Sequence, residues 1–260
     1  MNKIKSLIID QLKINIPIND PKFSIKSKIA EIEPLLHLKE VYGKFEIENH
    51  GFNGYTRTVT FNLLDKDSLV RIEYNPDRLD MGLSIDFRGN PKKYYEQVCE
   101  IKGIKVNWKE IISQVVKKYG GHLSRIDIAV DFIDFGYSVN SISEKLKNEE
   151  YYFLNKNKQR IDIERIKTIG KGKKTETIYV GSRTSGAYLR IYNKKKEQLE
   201  TRGIFHAQAT VCENWVRVEG EFHHKKSQRI GKLIAYDSNS MTAILASYLS
   251  HQWSLVTNND

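Results

Sequence analysis

A chain of 260 residues, 40% hydrophobic and 28% charged, is long enough for one large domain or two small ones sharing a sheet, and it has the composition of a globular protein. Its 42 Lys and Arg against 32 Asp and Glu give a formal charge of +10, which attracts polyanions, nucleic acid first and an acidic membrane surface second. No apolar run approaches a membrane span, Met1-Asn2-Lys3-Ile4-Lys5 lacks a signal-peptide core, and Cys99 and Cys212 fit neither a metal-ligand spacing nor a disulfide framework, so a cytoplasmic protein without a membrane partner is expected.

Ile4 to Ile18 alternates loosely as a strand, interrupted by Pro17, and Lys28 to Lys39 reads as a short helix around Pro34. Residues 41–88 read as a meander: Val41 to Ile47, Tyr55 to Leu64, Leu69 to Asn75 and Leu83 to Arg88, with turns at Gly51-Phe52-Asn53-Gly54 and Asp65-Lys66-Asp67. Residues 91–119 are helical, first around Tyr94 to Ile101. A second helix is capped by Asn107 and carries Ile111, Ile112, Val115 and Val116 as its apolar stripe. After Gly120-Gly121 comes a clear strand, His122 to Phe132, and Ser138 caps a helix over Val139 to Lys147. Residues 151–175 are polar and lysine-rich, a loose strand or a loop. Two short strands around the turn Gly181 to Gly186 follow, then a helix within Lys195 to Val211, a strand over Asn214 to His223, and helices in Ser227 to Leu255. No repeat is visible in the sequence. The pattern predicts an α+β fold, antiparallel sheets with helices between them.

The chemistry concentrates on strands. On Ala187-Tyr188-Leu189-Arg190-Ile191-Tyr192, alternation places Tyr188, Arg190 and Tyr192 on one face, with Lys194 following. A tyrosine is a possible covalent nucleophile, and Arg with Lys can hold a phosphate. A half-exposed cross-strand ladder would leave the same pattern. Asp127 and Asp131 share a face with Arg125, Glu73 shares one with Arg71, and Glu219 and Glu221 share one with Arg217. Carboxylates are disfavoured in strands, so three such strands suggest either a hard-cation site for Mg2+ or Mn2+ or arginine-paired ladders. There is no His-x-His pair, and His223-His224 would point to opposite faces. There is no phosphate-binding Gly-rich loop and no nucleophile elbow for serine or cysteine.

Four blocks in order resemble the Rep_trans family, the rolling-circle replication initiators of small plasmids of Gram-positive bacteria together with related relaxases of integrative elements. They are Arg71-Ile72-Glu73-Tyr74-Asn75-Pro76, Ser124 to Phe132, Tyr179-Val180-Gly181-Ser182-Arg183 with Leu189-Arg190-Ile191-Tyr192-Asn193-Lys194-Lys195, and Trp215 to Glu221. The resemblance implies a carboxylate variant of the HUH nickase fold, with residues 66–225 as the catalytic core, 1–65 as a strand-rich segment of the same unit, and 226–260 as a helical tail that is shorter than the family's. It implies Tyr192 as nucleophile, with Tyr188 and Tyr179 as competitors. Arg190 and Lys194 would favour a phenolate whose ordinary pKa is about 10. It implies that Asp127, Asp131 and Glu219, with Glu73 as a further candidate, hold Mg2+ or Mn2+. Lys171, Lys173, Lys174, Arg183, Lys195, Lys196, Lys225, Lys226 and Arg229 would track phosphates. Tyr151, Tyr152 and Phe153 are candidates to stack bases, while Trp215 suits a core. The expected activity is nicking and rejoining of origin DNA, as a hairpin or single strand, through a 5′-phosphotyrosyl link, with a homodimer and a host helicase as implied partners. Conjugative relaxation by the same chemistry, a nuclease using water, and a non-catalytic basic DNA-binding protein are the alternatives.

Overall fold

The computed structural model describes residues 3–61, 70–172 and 174–258. The chain forms two compact units. The N-terminal unit comprises Asp10–Ile126 and Ser227–Ser238, and the C-terminal unit comprises Met1–Ile9, Asp127–Lys226 and Asn239–Asp260. Residues 70–126 belong with the N-terminal strands, because the meander closes back onto the first strand of the chain, and 239–258 belong with the C-terminal strands.

In the N-terminal unit, the strand β1 (Ile4–Ile16) precedes helices α1 (Ile25–Leu36) and α2 (Leu38–Tyr42). The meander β2 (Phe45–Glu48), β3 (Arg57–Phe61), β4 (Arg71–Tyr74) and β5 (Leu83–Phe87) follows, then helices α3 (Gly89–Ile101) and α4 (Trp108–Lys117). Sheet order is β2-β3-β4-β5-β1, with β6 (His122–Ile133) beside β1. Leu12, Ile14 and Ile16 of β1 alternate inward and lie opposite Phe87, Ile85 and Leu83 of β5. The α1 stripe Ile25, Ile29, Ile32 and Leu36 is buried, and Asn107 caps α4 by accepting from the Glu110 amide. The expected strand Val41 to Ile47 is corrected. Val41 and Tyr42 close α2, and Gly43 at φ +81 turns the chain before β2 begins at Phe45. The expected turn Asp65-Lys66-Asp67 lies outside the described residues.

In the C-terminal unit, β6 leads into α5 (Val139–Lys147), capped by Ser138, then β7 (Tyr151–Asn155), β8 (Ile166–Lys171), β9 (Lys174–Ser182) and β10 (Ala187–Asn193). Helices α6 (Lys194–Thr201) and α7 (His206–Val211), β11 (Trp215–His223), α8 (His224–Tyr236), α9 (Met241–Gln252) and β12 (Trp253–Thr257) complete the chain. Sheet order is β8-β9-β10-β11-β6, with β1 beyond, and β7 pairs separately with β12. The tail is thus not all helix. Its last segment is a strand whose Trp253 ring packs 5.5 Å from Phe222 of β11. Gly220 makes that packing possible, since a Cβ there would lie 2.6 Å from Leu249 Cδ1 and 3.1 Å from Trp253 Cζ3. The α+β architecture holds, and no helix among the described residues is long and apolar enough to cross a membrane.

Candidate active site

The β9–β10–β11 ladder sorts the chemistry onto one face. Ile191 pairs with Ile178 and Leu189 with Val180, all buried, which fixes the register. The opposite face therefore carries Tyr192 opposite Arg217, Arg190 opposite Glu219, and Tyr188 opposite Glu221. The expected hairpin turn is a single short helical turn after β9, in which Ser182 accepts from the Thr184 amide and Gly186 reverses the chain at φ +72.

Tyr192 is nearly buried, and its Oη donates to Glu219 Oε2 at 3.3 Å. Arg190 Nη2 donates to both Glu219 oxygens at 3.1 and 3.2 Å, and its guanidinium lies 4.0 Å from the Tyr192 ring centroid. Burial alone would lower the Arg190 pKa, but Glu219 and Tyr192 outweigh it, so Arg190 is held more firmly protonated than a free arginine. Lys194 is buried behind the ring, with Nζ 5.6 Å from the Tyr192 centroid and 2.7 Å from Glu197 Oε2. Burial pushes the Glu197 carboxyl up, but hydrogen bonds from Gln198 and Lys194 more than offset this and hold it below the usual range. Tyrosine, arginine and carboxylate thus touch one another at a single point.

Asp131 has a different surrounding. Its Oδ1 accepts from Trp215 Nε1 and Arg217 Nε, each at 2.7 Å, and its Oδ2 accepts from Arg217 Nη2 at 2.8 Å. Arg217 is fully buried, so this bidentate pair is a buried ionic strut between β6 and β11. Asp127 is buried on the same face of β6 by alternation. Glu73 belongs to the N-terminal unit, where its Oε1 accepts from the Phe52 amide at 2.9 Å. Among the described residues no three His, Cys, Asp or Glu side chains gather as a metal-holding cluster. Glu219, Asp127 and Asp131 all carry hard oxygen donors of the kind magnesium or manganese takes, but both Glu219 oxygens accept from Arg190, and both Asp131 oxygens from Arg217.

Sequence reasoning did not foresee three contacts. Tyr179 and Tyr188 stack at 5.4 Å on the site face. His223 Nε2 pairs with Glu221 Oε1 at 2.7 Å. Trp215, expected as core, is also the donor that orients Asp131. The first could have been found by pairing β9 with β10 and noting that Tyr179 falls opposite Arg190.

The basic residues divide into two groups. Lys171, Lys174, Lys225 and Arg229 are exposed. Lys195 Nζ donates to the Cys212 and Glu213 carbonyls, and Lys196 pairs with Glu176 and Glu200. Lys226 Nζ meets Gln252, and burial, with Lys156 nearby, lowers its pKa. Lys173 and the Arg183 side chain lie outside the described residues. Phe153 is buried, while Lys145 lies over Tyr151 and Arg160 over Tyr152.

A Bacillus subtilis (strain 168) protein named "Putative DNA relaxase NicK" is 26% identical over 174 residues, which is 66% of this chain and 46% of that protein. The chain therefore spans about half the length of that curated relative. The solved structure of a rolling circle replication initiator protein from Geobacillus stearothermophilus matches with a TM-score of 0.69 at 22% identity, over 98% of this chain and 88% of that one, a likeness of fold. The family model for Rep_trans, replication initiation factor, matches residues 121–260, a span that contains β6, the β9–β10 hairpin and β11. With more than half of its length matched, the chain belongs to the Rep_trans family of replication initiation factors.

Proposed function

We propose that the C-terminal unit nicks and rejoins single-stranded or hairpin origin DNA through Tyr192. The observation that carries this reading is the contact of Tyr192 Oη with Glu219 Oε2 at 3.3 Å, under an Arg190 guanidinium that grips the same carboxylate. Glu219 is placed to accept the phenol proton as Oη attacks phosphorus. The P–O3′ bond breaks, the 3′ oxygen leaves and takes up a proton, and the 5′ phosphate stays on Tyr192. Rejoining is the reverse, and the phosphotyrosyl bond conserves the energy for it. Arg190 offsets the negative charge that builds at phosphate and phenol oxygen, and Lys194 adds a second positive charge behind the ring. Magnesium or manganese, with Asp127 as its ligand, would neutralise non-bridging phosphate oxygens.

Initiation of rolling-circle replication is the role this chemistry serves best, since the free 3′-hydroxyl is a primer. The 26% identity to a relaxase supports a second role, strand transfer by the same reaction. Homodimerisation and recruitment of a host helicase belong to the replication role. The test is incubation with supercoiled DNA carrying the candidate origin, with manganese or with chelator, on a denaturing gel. A covalent protein–DNA band that vanishes in Tyr192→Phe and with chelator is expected. Nicking without a covalent band would replace the tyrosine by water. Salt-sensitive binding with no nicking on this DNA or on a randomised hairpin pool would leave a non-catalytic binding protein.

A further inference from the structure

Five strands of the N-terminal unit repeat, in order, five strands of the C-terminal one. In each, a long strand leads through one or two helices into four meandering strands, and the fourth returns beside the first. From the edge inward the orders are β2-β3-β4-β5-β1 and β8-β9-β10-β11-β6, with β7, α6, α7, α9 and β12 as additions to the second copy. The registers coincide too. Arg71 lies opposite Asp86 as Arg190 lies opposite Glu219. Two residues on, Glu73 occupies the place of Tyr192, and each has a threonine across from it, Thr58 and Thr177. The tripeptides Arg71-Ile72-Glu73 and Arg190-Ile191-Tyr192 differ only at that last position. Little else in the two sequences matches, so the duplication shows in topology and not in the chain.

A cavity of about 350 Å³ opens on this face of the N-terminal unit, lined by His50, Phe52, Thr58, Thr60, Arg71 and Arg88. Its volume is that of a site for a small organic group rather than a duplex. The Arg71 guanidinium lies 4.5 Å from the Phe52 ring centroid, and Phe52 is 49% exposed. Arg88 is fixed by Asp86, with Nε 2.9 Å from Oδ2, while its side chain remains 44% exposed. Glu48 pairs with His50 at the rim, and Glu73 holds the Phe52 amide, which sets the loop carrying the ring.

We propose that the N-terminal unit is a copy of the nickase unit with Glu73 at the position of Tyr192, and that this cavity binds one unpaired nucleotide of the DNA strand without cutting it. The base lies against Phe52 and Arg71, and its phosphate lies on Arg88. The proposal rests on reading the chain as a DNA-handling enzyme, but not on Tyr192 being the nucleophile. A flat aromatic–guanidinium surface beside a second, anchored guanidinium is what an unpaired base with its phosphate requires. With the carboxylate of Glu73 in place of the phenol, the copy has no tyrosine at the position of the proposed nucleophile.

The test uses the whole chain carrying Tyr192→Phe, in chelator, with a fluorescent 20-nucleotide single strand of mixed sequence followed by anisotropy. Phe52→Ala and Arg88→Gln each weaken binding about tenfold, the scale of one lost stacking or phosphate contact. Arg88→Gln also lowers the salt slope by about 0.7. Phe52→Trp, which keeps an aromatic face, retains parent affinity, and the duplex of the same sequence is insensitive to Phe52→Ala. Parent affinity in both Phe52→Ala and Arg88→Gln, equal weakening by Phe52→Trp and Phe52→Ala, or equal effects on single strand and duplex would overturn the proposal. The two readings separate cleanly. Loss of single-strand binding in these variants with no tyrosine adduct in the parent removes the nickase reading alone. An intact Tyr192 adduct with unchanged binding removes this one alone.

Discussion

Substituting Asp131 by Asn separates a structural carboxylate from a metal ligand. In the folded chain Asp131 accepts three hydrogen bonds, two from a fully buried Arg217 and one from Trp215. Asparagine keeps one acceptor oxygen but removes the charge, so the fully buried Arg217 cation loses its bidentate carboxylate partner. Breaking such a pair costs about 3–5 kcal/mol, and the remaining amide oxygen argues for the lower end. At roughly 2–4 °C per kcal/mol for a chain of this size, Tm falls by about 6–12 °C. The double variant Asp131→Asn/Arg217→Met removes the orphaned charge and recovers most of the loss. Thermal melts with and without manganese, alongside covalent adduct formation below Tm, are the assay. The reasoning is refuted if Asp131→Asn melts within about 2 °C of the parent while its manganese-dependent nicking is abolished.

Three further expectations concern the site and its support. Glu219→Gln slows adduct formation by about 10²-fold, the scale of a lost proton acceptor, while Tyr188→Phe forms adduct at the parent rate. Single-turnover kinetics on an oligonucleotide substrate check both, and a full-rate Glu219→Gln would remove Glu219 from the proton path. Gly220→Ala pushes a methyl group into Leu249 and Trp253 and costs about 1–3 kcal/mol, read by urea denaturation. An unchanged midpoint would mean that the tail does not pack on β11 in solution. The folded-state pKa of Glu197 is depressed, so its contribution is complete above the unfolded value near ~4.3 and is lost as pH falls through the lower folded value. Melting temperatures from pH 6 to pH 3 therefore fall more steeply in the parent than in Glu197→Gln, and parallel curves would contradict this.

Much of the site was legible because strand alternation is a strict rule. Tyr188, Arg190 and Tyr192 had to share a face, and so did Arg217, Glu219 and Glu221. What alternation leaves open is which neighbour each side chain meets. The sequence grouped Asp131 with Glu219 as equivalent carboxylates, but register places Arg217 and Trp215 on Asp131 and Tyr192 and Arg190 on Glu219. The lysine cluster 194–196 looked like one phosphate-tracking patch. Yet α6 begins at Lys194, and helical geometry turns its three ammonium groups toward three partners, Glu197, the Cys212 carbonyl and Glu176. The strands β7, β8 and β12 were hard to see because their residues are polar or follow a helix without a break, so pairing partners rather than local propensity define them. The division into two units was invisible in the same way, since β1 and β6 each contribute residues to both.

The claim that Tyr192 is the nucleophile has a direct test in peptide mapping of the trapped adduct. Arg190 lies between Tyr188 and Tyr192, so trypsin separates the candidates: Tyr179 falls in residues 175–183, Tyr188 in 184–190 and Tyr192 in 191–194. After nuclease trimming, mass spectrometry is expected to find the nucleotide mass on Ile191-Tyr192-Asn193-Lys194. The same mass on residues 184–190 or 175–183, with 191–194 unmodified, would contradict the account and move the chemistry to Tyr188 or Tyr179.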